Sequence, residues 1–208
     1  MIDMKGQAEI ISAIIIILIA LSLVGAAYLW GFPLIEKRQH EAVAKRVVSY
    51  FDQENVNSLP SRIEYIARFG GTEIFTIDAN GIWTINTTEN SIYFTFYSKA
   101  TPIGYDVGWI STECNSTTGE VINKIGQIGI DKASVVCAKA DKLGDGFNIT
   151  YKVVYRELID NTTGRINKIE LVPQYNMLSS TTKTLQIRRG AIKSIGTNIT
   201  IEVEIVFR

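Results

Sequence analysis

The sequence predicts an α+β protein: a long N-terminal hydrophobic helix followed by an antiparallel β-sandwich-like globular domain. Three observations carry that expectation. An uncharged apolar run fills residues 10–30, an amphipathic stripe continues it, and the chain after about residue 70 reads as short strands between polar turns. The charge distribution agrees. Of 21 basic and 21 acidic residues, only Asp3, Lys5 and Glu9 precede Glu36. The 208 residues therefore divide into an almost uncharged front and a soluble remainder long enough to bury a core.

The front reads IISAIIIILIALSLVGAAYLW from Ile10 to Trp30. A bilayer core of ~30 Å takes about 20 helical residues, so this run is long enough to span one. A cleaved secretory signal has a shorter apolar centre and ends on small residues. This run ends on Tyr28, Trp30 and Phe32, which resembles an interfacial aromatic anchor. Pro33 marks a kink or break. Beyond it, Val43, Val47, Tyr50 and Phe51 fall at i, i+4, i+7 and i+8, so one face of a continuing helix is apolar. The helix is expected over residues 7–51 and the globular domain over residues 52–208.

In that domain the period changes. Thr72–Asp78, Ile82–Asn86, Ile92–Tyr97, Asn148–Arg156, Arg165–Val172, Lys183–Arg188 and Asn198–Phe207 are strand candidates, rich in β-branched and aromatic residues. Ser61–Phe69 and Asp131–Lys139 read as short helices or turns, and Asn161–Gly164 as a hairpin loop. Seven or more short strands with polar turns suggest an antiparallel sandwich or barrel.

Function classes narrow by exclusion. A net charge of zero leaves no electrostatic footprint for nucleic acid. Two cysteines and one histidine do not make a zinc site. No G-x-S-x-G, Walker A, H-E-x-x-H or EF-hand pattern occurs, so no catalytic residue, metal ligand or cofactor is assigned. His40, in the charged stretch after the apolar run, reads as a solvated helix residue. The acidic stretch Asp141–Gly146 has the wrong ligand spacing for calcium and reads as a turn.

The residues before the apolar run carry a motif. Lys5-Gly6-Gln7-Ala8-Glu9 sets a basic residue, a glycine and a polar residue directly ahead of a long helix. This resembles the class III leader of type IV pilins and of archaeal pilins and archaellins. The resemblance covers about the first 50 residues. It implies cleavage between Gly6 and Gln7 by a prepilin peptidase, leaving residues 1–6 as leader and retaining the helix. It further implies an assembly ATPase, a membrane platform, and a homopolymer of the chain itself. Ile14, Ile17, Leu18, Leu21 and Val24 would pack that polymer, and Gly25 to Ala27 would permit close helix approach. One departure stands. Many family members carry glutamate at the fifth mature position, where this chain has Ile11; its nearest acid is Glu9, the third. Glu9 either pairs with the new α-amino group of a neighbouring subunit or complements the helix N-terminus.

Sidedness draws on opposing signals. Lys37, Arg38, Lys45 and Arg46 follow the helix, which by the positive-inside rule puts the domain in the cytoplasm. Against that stand five N-x-[ST] sequons, at Asn86, Asn115, Asn148, Asn161 and Asn198, where chance gives about two. The pair Cys114 and Cys137 also suits a disulfide in an oxidising compartment. The expectation is a membrane-held precursor and then an extracellular adhesive filament bearing glycans. The alternatives are a non-polymerising membrane-anchored surface binding protein or an archaellum component.

Overall fold

The computed structural model describes the backbone of residues 4–208 and the side chains of residues 11–208. Helix α1 runs Met4–Phe51 and α2 runs Leu59–Phe69. The strands are β1 (Thr72–Thr76), β2 (Gly81–Asn86), β3 (Ser91–Ser98), β4 (Ile125–Gln127), β5 (Ser134–Leu143), β6 (Gly146–Tyr155), β7 (Glu157–Ile159), β8 (Ile166–Pro173), β9 (Ser179–Ser180), β10 (Thr184–Ile195) and β11 (Asn198–Phe207). They form a six-stranded sheet, β1-β10-β11-β8-β7-β4, and a five-stranded sheet, β5-β6-β3-β2-β9. The chain forms two compact units, one ending at Gln39 and the other spanning His40–Arg208. The globular unit thus begins before the helix ends.

α1 is continuous in secondary structure through Pro33, with no break. The proline ring removes one donor, leaving the Leu29 carbonyl without its usual partner. The isoleucine-rich stretch is only a moderate helix former in water. In an apolar medium, helix is the form that satisfies every backbone group within one segment.

The end of α1 belongs to the domain core. Ala44, Val47 and Phe51 are buried there, and Val43, Val48 and Tyr50 pack against them. This is the stripe that the sequence periodicity picks out. Phe51 stacks on Tyr151 at 4.8 Å and lies 6.2 Å from both Phe94 and Trp83. Trp83 also meets Phe75 edge-on at 6.3 Å. Phe75 is on β1 of the six-stranded sheet and Trp83 on β2 of the five-stranded one, so one aromatic cluster joins both sheets to the helix. Burial pushes the Tyr151 hydroxyl up to about 12, so it stays protonated.

α2 is capped at both ends. The Ser58 side chain accepts from the Ser61 N–H at 3.4 Å, Pro60 sits in the first turn, and Gly70 (φ 79°) donates its N–H to the Ile66 carbonyl. Its buried Leu59, Ile63, Ile66 and Ala67 share the core with Leu185 and Ile187 of β10 and Val203 and Ile205 of β11. β3 shows the alternation of a half-buried strand: Ile92, Phe94 and Phe96 face the core, and Tyr93, Thr95 and Tyr97 face away.

The expected α+β class, with two largely antiparallel sheets, is what the chain adopts. Two details go beyond it. β11 pairs with β8, and β4 with β7, in parallel. Residues 134–139, read as helix or turn, are the first part of strand β5. Asn90, in the polar loop between β2 and β3, adopts φ 53° and is buried. Its Nδ2 donates to the carbonyls of Tyr155 and Ile169, and its Oδ1 accepts from the Leu171 N–H at 2.8 Å. One side chain therefore ties the end of β6 to β8 in the other sheet.

Phe51→Ala, measured by denaturant unfolding of the full chain in detergent, is expected to lower domain stability by about 3–5 kcal/mol. A loss below about 1 kcal/mol would show that the helix end does not support the core.

Candidate functional site

Two features of the chain are candidates for function. The first is the helix before His40. Ile14, Ile17, Leu18, Leu21 and Val24 are 52–67 % exposed, and Ile15, Ile16, Ile19 and Leu23 on the other faces are equally open. Among the described residues 11–39 of this segment none is buried. By length and composition it suffices to cross a membrane. Tyr28 stacks on Phe32 at 5.6 Å, and Trp30 is the most exposed of these aromatics. A Cβ added at Gly25 or Gly31 would meet nothing within 4 Å. The side chains of Gln7 and Glu9, and the surroundings of Gly6, lie outside the described residues.

The second feature is a cap on the face of the five-stranded sheet that points away from the main core. Residues 109–121 lie over that face, and residues 106–110 run along the free edge of β5. Asp106 donates its N–H to the Ala140 carbonyl, and Ile110 exchanges backbone bonds with Ala138. The Cys114–Cys137 disulfide fastens the segment to β5, with 6.2 Å between Cα atoms. It closes a 23-residue span, worth about 3 kcal/mol by loop entropy. Cys114, Val121, Val135 and Cys137 form a small second core with Trp109 and Val154.

Lys152 lies beneath this cap. In register it faces Tyr93 on one side and Cys137 on the other. Only 3 % of its side chain is exposed. Its ammonium donates to the Gly119 carbonyl at 2.9 Å, pairs with Glu89 at 3.0 Å, and sits 5.3 and 5.8 Å from the ring centres of Tyr93 and Trp109. Tyr93 in turn donates to Glu89 at 2.5 Å. Burial pushes the Glu89 carboxyl up, but the hydrogen bonds from Tyr93 and Lys152 outweigh it and hold its pKa down. Burial likewise pulls Lys152 down, and its bonds to Tyr93 and Glu89 outweigh that and raise it. Arg156 is equally buried. It pairs with Glu113 of the cap at 2.8 Å and with Asp131 at 3.7 Å, and donates to the Lys132 carbonyl.

A cleft of about 660 Å³ opens beside these groups, lined by Glu89, Lys124, Lys152, Arg156, Glu157 and Lys168 among others. Its two buried cations are committed to Glu89, Gly119, Glu113, Asp131 and Lys132. Their chemistry is to hold the cap on the sheet.

The sequons occupy different settings. Asn115, Asn161 and Asn198 are exposed, and Asn86 is half-buried at the end of β2. The Asn115 Oδ1 accepts from the N–H groups of Thr117 and Thr118, and the Asn86 Oδ1 from those of Thr88 and Glu89. Asn148 stands inside β6, between Tyr97 and Asp141 on its neighbours. His40 meets the Tyr97 ring edge-on at 6.5 Å. In the turn near Asp141, Asp145 accepts from the Tyr97 hydroxyl and pairs with Lys99 at 3.6 Å, while Asp141 pairs with Lys139.

Sequence reasoning identified the cysteines and missed Lys152 and Arg156. In the run NITYKVVYR a lysine alternating with core residues reads as solvent-facing. Only the distant segment that covers it changes that, and Trp109 beside the cysteine pair was the one available signal. No protein-family model, curated protein or solved structure matches the chain.

The cap carries a pH expectation. A carboxyl held below its ordinary value near 4.5 contributes stability above that value and loses it as pH falls through the lowered one. A lysine held above 10.5 contributes below that value and loses it as pH rises further. Trp109 emission, read in a chain whose other tryptophans are phenylalanine, is therefore expected to stay constant between about pH 5 and 10 and to change outside that window. Cys114→Ser with Cys137→Ser is expected to cost about 3 kcal/mol.

Proposed function

We propose that the chain is a pilin-like structural subunit of an archaeal type IV pilus-like surface filament, held in the membrane before assembly and serving adhesion. The observation that carries this reading is the helix that begins at the Lys5-Gly6-Gln7 motif. Its large apolar side chains from Ile11 to Ile35, among the described residues, are exposed, while its last turns are built into a globular core. Burying a leucine or isoleucine side chain is worth about 1.5–3 kcal/mol. That gain is first available from lipid and then from other copies of the same helix. Prepilin peptidase, an assembly ATPase and a membrane platform are the partners this reading requires.

Export of the domain fits the disulfide and the sequons. The basic residues that follow the apolar run, Lys37, Arg38, Lys45 and Arg46, count against export, and the disulfide and the five sequons outweigh them in this reading.

One observation favours a second reading, a membrane-anchored surface binding protein that does not polymerise. The exposed helix is apolar on all faces rather than along one seam, which suits lipid as well as other helices.

Intact-mass measurement of the native protein separates these cases. A chain beginning at Gln7, and retention of Met1 with loss of surface polymer in Gly6→Leu, are the expected results. A native chain beginning at Met1, or after Trp30, contradicts the pilin reading.

A further inference from the structure

The parallel pairing of β8 with β11 has a geometric consequence. Parallel neighbours start at the same end of a sheet, so the turns that precede them lie side by side. Ile199 is in register with Asn167. The turn before β8 spans residues 160–165, and the turn before β11 is Gly196-Thr197, with Gly196 at φ 61°. The first turn carries the sequon Asn161-Thr162-Thr163, and the sequon Asn198-Ile199-Thr200 opens β11 directly after the second, with Asn198 in register only with Ile195 of β10. Between them lies a groove of about 350 Å³, lined by Asp160, Thr163, Arg165, Ser194, Thr197 and Ile199. Thr163 and Ile199 are themselves sequon residues.

The lining has the chemistry that binds a polyhydroxylated ring. Asp160 accepts, three hydroxyls donate or accept, Arg165 donates, and Ile199 offers an apolar edge. The first turn is braced from within. Asp160 accepts from the Thr162 N–H at 2.8 Å and from the Thr163 hydroxyl at 2.7 Å. The Arg165 guanidinium has no partner among the described residues, which leaves its donors available. Ile195, at the same tip, is 80 % exposed, an apolar surface that a saccharide would cover.

We propose that this groove seats the first sugars of a saccharide N-linked to Asn161 or Asn198, and that Asn148 stays unmodified. Asn148 is held inside β6, paired on both sides, with no turn to present its amide. The linkage needs an activated donor, a saccharide phosphate or lipid-linked saccharide phosphate. The asparagine Nδ2 attacks the anomeric carbon, forming the N–C bond. The anomeric C–O bond breaks, and the departing phosphate takes up the equivalent of the amide proton. The proposal rests on the export proposed above, with glycosylation of the sequons added to it, and not on filament assembly.

Peptide mapping by mass spectrometry of the full chain from its native source, followed by amide hydrogen exchange, tests it. The expected map has saccharide mass on Asn161 or Asn198 and none on Asn148. Exchange across residues 160–165 and 194–199 is expected to be slower by about tenfold than in the Asn161→Gln, Asn198→Gln chain. Arg165→Ala with Ser194→Ala leaves both sequons intact. It should keep the saccharide and lose most of that protection. Saccharide on Asn86 or Asn115 with both Asn161 and Asn198 bare overturns the groove proposal alone, as does a saccharide that leaves exchange in the two turns unchanged. Saccharide on Asn148 overturns the accessibility argument. A chain bare at every sequon overturns the groove proposal together with the glycosylated reading beneath it.

Discussion

The first unit of this chain is governed by apolar surface that its own chain does not cover. From Ile11 to Ile35 the large side chains are open on every face of the helix. Such a segment is stable only where lipid or other helices replace water. Its length, its lack of charge and the aromatic residues at its end all follow from that requirement. So does the contrast with the globular unit, whose core is complete without it. The apolar content of the sequence therefore serves two cores. One is closed within residues 40–208, and in the function proposed above the other is made with partners from outside the chain.

Within the globular unit, Phe51 has an equivalent place. It is the last residue of α1, and its ring packs with Tyr151, Phe94 and Trp83. The helix end is thus a component of the domain rather than a linker to it. The opposite face of the five-stranded sheet is closed differently, by a disulfide and two buried cations. Lys152 and Arg156 would be costly to bury unpaired. Each meets a carboxylate and a backbone carbonyl, so the cap is held by saturated polar contacts around a small apolar cluster. Opening the cap requires breaking a covalent bond as well as those contacts.

Much of this was legible in the residues. The apolar run, the stripe at Val43, Val47 and Phe51, and the strongly β-branched strands β3, β6 and β11 follow from composition and period. β5 escaped because its first half, SVVCAK, is built from small and mixed residues whose strand character comes from pairing with β6. β4, β7 and β9 are two or three residues long, too short to show a period. The parallel pairs were not legible either, since alternation tells which face a residue takes and not which strand lies beside it. The same limit hid the convergence of Asn161 and Asn198. Lys152 was hidden for a related reason: what buries it is a segment more than thirty residues away in sequence. Cys114 and Cys137, by contrast, were readable as a pair because no other cysteine competes.

The central claim is that helix residues 11–35 are covered by other copies of the same helix. Helical reconstruction of filaments sheared from the native cell surface tests it most directly. The account predicts a filament whose axial core is a bundle of these helices, with Ile14, Ile17, Leu18 and Leu21 in contact with neighbouring copies and the globular unit outside. Recovery of the protein solely as a membrane-bound monomer, with surface filaments that lack it, would contradict the account.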